Sequence, residues 1–212
     1  MRLRDISAAI FDIDGTLLDS SPMWRDLGER FLQSRGITPQ PGLSDILAPM
    51  TIEESCRYLP ENYPLHDTPD GVRAALLEMI SDFYRRECPL RPGAAQLLNA
   101  LHSRGITLLL ATAGDKQLSQ AALERLGVFR LFSGIFTCDE FGSKSRPEIF
   151  LAAGFPPSEC AVFEDSLTAV LTAKSAGFLT AAVCDISEPQ QETLRSTADY
   201  YRLTPGDYLD LL

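Results

Sequence analysis

The sequence predicts an α/β protein, a doubly wound and mainly parallel sheet interrupted by an inserted α-helical unit. Three observations predict it. Near the start, the apolar run Ile6-Ser7-Ala8-Ala9-Ile10-Phe11 breaks off into Asp12-Ile13-Asp14-Gly15-Thr16. From Pro89 onward, helical and extended patterns alternate, the rhythm of parallel strands joined by crossover helices. Between the two, residues 20–87 carry only helical periodicity.

The first run has the length and apolarity of a buried strand, and it delivers carboxylates to its carboxyl end. Ser20-Ser21-Pro22 supplies a cap and a first-turn proline, and Trp24, Leu27 and Phe31 follow at helical spacing up to Gly36. Thr51-Ile52-Glu53-Glu54 is a capping-box pattern opening a short helix. Thr68-Pro69 opens a longer one with the stripe Val72, Leu76, Met79 and Phe83. Helix 92–104, closed by Gly105, then leads to strand 106–111, and helix 115–126, closed by Gly127, leads to a short strand near 134–137. A helix from Pro147, strand 161–163, helix 166–176 closed by Gly177 and strand 179–183 complete the alternation. Tyr200-Tyr201 and residues 207–212 read as an edge strand and a docking turn. Because the second strand arrives so late, residues 1–16 and 90–212 form the α/β core and residues 17–89 a helical insert, or cap.

Composition narrows the partners. The 212 residues carry 29 acidic and 19 basic side chains, a formal net charge of −10, with only three lysines: Lys116, Lys144 and Lys174. Nucleic acid and anionic membrane surfaces draw on clustered cations that this chain lacks. No stretch approaches a membrane span, and the charged amino terminus does not form a leader, so a cytoplasmic protein is expected, with a monomer as the default state. The five cysteines lie far apart without a C-x-x-C pair and read as reduced thiols. His66 and His102 stand alone, which leaves acid–base chemistry to carboxylates or lysine.

In such a sheet, ligands bind outside the carboxyl ends of the strands. Four strand ends carry polar groups: Asp12 with Asp14; Thr112; Lys144 in the loop after the third strand; and Glu164 with Asp165. Each has an ordinary reading alone. Asp and Gly favour turns, Thr and Ser cap helices, and a lysine is normally a solvated surface group. Their conjunction at one end of one sheet does not suit packing.

These motifs resemble those of the haloacid dehalogenase-like superfamily, in the subfamily with a helical cap between its first and second motifs. The first, D-x-D-G-T, is Asp12-Ile13-Asp14-Gly15-Thr16, and the second, a Ser or Thr ending a strand, is Thr112. The third, a Lys followed three residues on by Pro, is Lys144 with Pro147, and the fourth is Glu164-Asp165-Ser166. All four occur in order and span nearly the whole chain. The resemblance implies a phosphatase that handles a small phosphorylated metabolite through an aspartyl-phosphate.

Phosphoryl transfer needs an in-line nucleophile, a metal, donors to the phosphate oxygens and an acid for the leaving group. Asp12 would be the nucleophile and Asp14 the acid and base, two residues on along an extended segment. Carboxylates of Asp12 and Asp165 with the Asp14 carbonyl make an all-oxygen set suited to Mg²⁺, and Glu164 would act through water. Thr112 and the amides of Ala113 and Gly114 would donate to phosphate, Lys144 would supply fixed positive charge, and Gly15 with Thr16 would form the tight turn beside it. Trp24, in the first cap helix, is a candidate substrate contact.

β-Phosphoglucomutases share the core motifs and this kind of cap but carry a His, an Arg and a Lys there for a second phosphate. The matching positions here read Trp24, Ile52 and the apolar stretch around Met79-Ile80. Water is therefore the expected acceptor, with the mutase as the alternative reading and a non-catalytic phospho-ligand-binding or regulatory protein as a more remote one.

Overall fold

The computed structural model describes residues 2–212. Among them, six strands form one sheet: β1 (Ala8–Phe11), β2 (Thr107–Thr112), β3 (Phe132–Thr137), β4 (Cys160–Glu164), β5 (Leu179–Val183) and β6 (Tyr200–Arg202). Their order is β3-β2-β1-β4-β5-β6, and every neighbouring pair is parallel. The sheet, expected to be mainly parallel, is thus fully so among the described residues. The order reverses between β1 and β4, which opens a crevice at their carboxyl ends.

Helices α1 (Ser21–Ser34), α2 (Leu43–Leu47), α3 (Ile52–Asn62) and α4 (Pro69–Asp82) lie between β1 and β2 in the chain, and α4 runs into a π turn over Phe83–Glu87. The crossovers use α5 (Ala94–Ser103), α6 (Lys116–Arg125), α7 (Cys138–Phe141), α8 (Glu148–Leu151), α9 (Leu167–Ser175) and α10 (Gln191–Thr197), and a 3₁₀ turn over Pro205–Leu211 ends the fold. No helix among the described residues is long and apolar enough to cross a membrane.

The chain divides into two compact units, one running to Ser20 and resuming at Cys88, the other spanning Ser21–Glu87. Residues 17–20 and 88–89 therefore pack with the sheet rather than with the insert. Leu17 and Leu18 are fully buried, Leu18 bridges Leu90, and Asp19 N–H donates to the Pro89 carbonyl at 3.0 Å. The two crossings thus run side by side as a paired neck.

Within the α/β unit, alternation along the strands sends side chains to both faces. Ala8, Ile10, Leu109, Ala111 and Val162 pack with Ile149 and Phe150 of α8 and Ala169 and Ala173 of α9. Elsewhere in the core Phe11 stacks on Phe163 at 4.3 Å, and Tyr208 meets Phe163 edge-on at 5.2 Å. Such aromatic pairs contribute about 0.5–1.5 kcal/mol beyond simple burial. Tyr208 also donates its hydroxyl to the Ala182 carbonyl at 2.6 Å, which ties the terminal turn to β5.

In the helical unit, Thr51 and Glu54 close the expected capping box of α3, and Thr68 caps α4 with Pro69 in its first turn. The α1 stripe differs from the expected one: Met23, Leu27 and Phe31 are buried, whereas Trp24 is 43% exposed. Gly28 lets α2 approach closely, since a Cβ there would lie 2.3 Å from Leu47 Cδ1. In α4 the buried positions are Val72, Leu76 and Ile80, one step from the Met79 expected.

Candidate active site

Four segments meet at the carboxyl ends of β1, β2 and β4, around a cleft of about 320 Å³. Asp12 follows β1 and is fixed in register by its N–H, which donates to the Phe163 carbonyl at 2.9 Å. Thr112 ends β2 and Glu164 ends β4, so neighbouring strands bring them alongside Asp12. Lys144 comes from the loop between α7 and α8 and is nearly buried. Asp12, Asp14, Thr112, Ala113, Gly114, Lys144, Glu164 and Asp165 all line the cleft, so eight of the residues singled out in the sequence converge.

Asp12, Glu164 and Asp165 each place a carboxylate oxygen within 4.8 Å of the others. Lys144 Nζ donates to Asp12 Oδ1 and, at 2.6 Å, to Glu164 Oε1. The other oxygen of Glu164 accepts the backbone N–H groups of Asp165 and Ser166, both at 3.2 Å. Asp165 Oδ1 accepts the Thr16 hydroxyl at 3.2 Å. Asp12 Oδ2 differs from these: it is buried and has no hydrogen-bond partner.

That orphan oxygen has a physical consequence. Leaving a buried anionic acceptor unsatisfied is costly, and one lysine faces three buried carboxylates. Burial, above all, pushes Glu164 up to about 7 against the pull of Lys144, and burial with Asp12, Glu164 and Asp185 nearby raises Asp165 well above the usual carboxylate range. Burial also opposes the charge of Lys144, but Asp12 and Glu164 outweigh it and hold the ammonium above its ordinary value. An added cation relieves both the repulsion and the orphan. The donors are all oxygen, and hard cations such as Mg²⁺ or Ca²⁺ fit them better than zinc does.

The carboxylate of Asp14 stands outside this trio. Ser20 donates its hydroxyl to Asp14 Oδ1 at 2.7 Å, while Asp14 Oδ2 lies 2.9 Å from where a Cβ on Gly114 would sit. Ser20, in the Ser-Ser-Pro segment read as a helix cap, thus bonds to a carboxylate of the cleft. Gly15 has φ of +82°, and a Cβ there would fall 2.3 Å from Asp165 Oδ2. Only glycine allows the turn to close so tightly against a carboxylate.

Thr112 is buried and accepts the Gly114 N–H at 2.9 Å. The Gly114 amide is therefore engaged within its own turn, whereas the Thr112 hydroxyl hydrogen remains to donate. Asp115 caps α6 through the Leu118 N–H. Trp24 belongs to the helical unit, where its indole N–H donates to the Tyr84 hydroxyl at 3.0 Å.

Sequence reasoning missed Ser20 and Asp185. Asp185 lies two residues beyond β5, close behind Gly15. It obeys the same strand-end rule that singled out the other carboxylates, but no motif surrounds it.

A family model described as a haloacid dehalogenase-like hydrolase matches residues 6–177. Over 206 residues the chain is 30% identical to a Drosophila melanogaster protein provisionally named pseudouridine-5′-phosphatase, covering 92% of this chain and 89% of that one. It is 28% identical over 177 residues to the phosphorylated carbohydrates phosphatase of Thermotoga maritima, covering 81% and 82%. Among solved structures, a Thermotoga maritima protein provisionally named β-phosphoglucomutase superposes with a TM-score of 0.85 at 26% identity, covering 97% of each chain.

Proposed function

Because this chain belongs to the haloacid dehalogenase-like hydrolase family, we propose that it is a Mg²⁺-dependent phosphatase of a small phosphorylated metabolite, with Asp12 as the nucleophile. The observation that carries the reading is the state of Asp12: one oxygen is gripped by Lys144, and the other is buried without a partner beside Asp165 and Glu164. Several curated relatives bear phosphatase names, which supports the same chemistry.

A carboxylate oxygen of Asp12 attacks phosphorus, and the bond from phosphorus to the ester oxygen breaks. Asp14 gives its proton to the departing alcohol and afterwards takes one from the incoming water. That water attacks phosphorus, the bond to Asp12 breaks, and inorganic phosphate leaves with the carboxylate restored. Lys144 and the Thr112 hydroxyl bind the phosphate oxygens that gain charge. Asp12, Asp165 and the Asp14 carbonyl would hold the cation, with Glu164 reaching it through water. When bound, Mg²⁺ supplies neutralisation of the phosphate charge. Ser20, bonded to Asp14, holds the acid–base carboxylate aside from the trio.

The mutase alternative calls for cations in the helical unit. There, Met50 and Ile52 line a cavity of about 240 Å³ together with Trp24, Leu27 and Ser55, and the arginine at its wall, Arg25, is engaged by Asp26 at 2.8 Å. The one cation in that lining is already paired with a carboxylate, which supports water as the acceptor. Trp24, half-exposed and fixed by Tyr84, is the residue of this unit we propose as a substrate contact.

The test is release of inorganic phosphate from p-nitrophenyl phosphate, with and without Mg²⁺. Asp12→Asn is expected to reduce turnover by about 10³-fold or more, as loss of a nucleophile does. Undiminished activity overturns the mechanism. Efficient conversion of β-glucose 1-phosphate to glucose 6-phosphate, with a bisphosphate activator, overturns the choice of water.

A further inference from the structure

One buried cation of the α/β unit is not used by the chemistry above. Arg91 follows the second crossing of the neck, and its backbone N–H donates to the Leu17 carbonyl at 2.8 Å. Its guanidinium is nearly enclosed and makes four bonds. One nitrogen donates to the Gly15 carbonyl and, at 2.7 Å, to Asp185 Oδ2. The other donates to the carbonyls of Cys184 at 2.6 Å and Leu203 at 3.2 Å. Asp185 is held in turn by the Ser187 N–H at 2.9 Å and is buried.

The arginine is anchored from behind as well. The next two residues, Pro92 and Gly93, press against Gly206: the Pro92 carbonyl accepts the Gly206 N–H at 3.1 Å, and a Cβ on Gly93 would lie 2.2 Å from Gly206 Cα. The backbone just after Arg91 is thus packed tightly against the terminal turn.

Gly15 links this pair to the site. Its left-handed turn is wedged between the guanidinium on its carbonyl and Asp165 on its Cα. Fixing the Gly15 carbonyl fixes the following peptide plane, and so Thr16, whose hydroxyl orients Asp165. It also fixes the turn that carries Asp14.

We propose that Arg91, locked by Asp185, is a positioning residue for the reaction: it sets the Gly15 turn and, through it, the placement of Asp14 and of the Asp165 carboxylate. The inference rests on the reading that Asp12 and Asp14 carry the chemistry. Arg91 is not among the residues that line the cleft or form the acidic trio.

Arg91→Lys separates this role from a merely stabilising ion pair. Lysine keeps a charge for Asp185 but cannot span four acceptors with one nitrogen. Small displacements of reacting groups cost rate more than affinity. Turnover is therefore expected to fall about 10-fold, with the substrate KM within about twofold of wild type. Binding of Mg²⁺ alone, followed by calorimetry without substrate, is expected to weaken about 10-fold, the usual penalty for loosening a residue behind a metal ligand. Asp185→Asn, which preserves shape and hydrogen bonding, is expected to move both quantities the same way by a smaller factor, and it stands in if the lysine variant does not fold. A lowered melting temperature with wild-type turnover and Mg²⁺ affinity, measured well below that temperature, overturns the proposal. If Asp12→Asn stays active, the phosphatase reading fails, but Mg²⁺ binding by the Arg91 and Asp185 variants still decides whether the pair sets the Asp165 carboxylate.

Discussion

At the scale of single residues, the site is built from groups whose alternatives are worse. Asp12 cannot satisfy Oδ2 from protein donors, Gly15 cannot carry a side chain, and Lys144 cannot leave two buried carboxylates. Thr16 is the most economical to test. Its hydroxyl is buried and donates to Asp165, so Thr16→Val removes one hydrogen bond at nearly constant volume. Mg²⁺ affinity is expected to drop about 10-fold, with a stability cost of about 1 kcal/mol, read from a Mg²⁺ titration and a urea transition. Most of these residues were legible in the sequence because D-x-D-G-T, Thr112, Lys144 and Glu164-Asp165 stand at strand ends in fixed order. Ser20, Arg91 and Asp185 were not. Their roles arise from contacts across 6 residues for Ser20 with Asp14 and 94 for Arg91 with Asp185, and no local pattern marks them.

At the scale of elements, the strands and long helices followed their hydrophobic periodicity to within about two residues, the usual margin for element ends. The elements that escaped are short or polar. α10 buries only Leu194, and α7 buries none of its four residues, so neither leaves a stripe to read. Trp24 was placed on the α1 stripe by its spacing of three from Leu27, but the buried line runs Met23, Leu27, Phe31 at steps of four and leaves Trp24 at its edge, bonded to the Tyr84 hydroxyl. The edge strand β6 is held by a different device. Asp199 accepts Lys174 Nζ at 2.8 Å, and from Thr180 of β5 it accepts both N–H and hydroxyl at 2.9 Å. Burial works against its charge, but Lys174 and Thr180 outweigh it and hold the carboxyl below its ordinary value of 3.8. A lowered folded value means that the unfolded chain takes up the proton first. The stabilisation is complete above pH 3.8 and is lost as pH falls through the folded value. Asp199→Asn is expected to lower the melting temperature at neutral pH and to flatten its decline in acid. Parallel acid profiles for variant and wild type would contradict this.

For the molecule as a whole, an excess of ten negative charges disfavours anionic surfaces yet is compatible with the cation site proposed above. Three of those charges are concentrated in the trio of Asp12, Glu164 and Asp165. A cation that binds the folded state alone stabilises it by mass action. Mg²⁺ at a hundred times its Kd is expected to add about 2.7 kcal/mol to unfolding of the α/β unit. Asp165→Asn is expected to erase most of that gain, measured as urea transitions with and without Mg²⁺, and high salt to reduce it by screening. The helical insert was evident in the sequence from the absence of extended patterns between residues 20 and 87. The placement of its boundary was not, because the apolar Leu17-Leu18 and the segment around Leu90 are equally compatible with either unit until their pairing is seen.

That pairing gives the neck a meaning for evolution and engineering. Where Asp19 and Pro89 are hydrogen-bonded neighbours, the chain leaves and returns at one place, and the sheet needs nothing of the intervening length except closure. Closure entropy grows only slowly with loop length. The stretch from Ser21 to Glu87 is thus a graft on a two-stranded stem. Changes in its length or sequence are therefore expected to leave the register that presents Asp12 undisturbed.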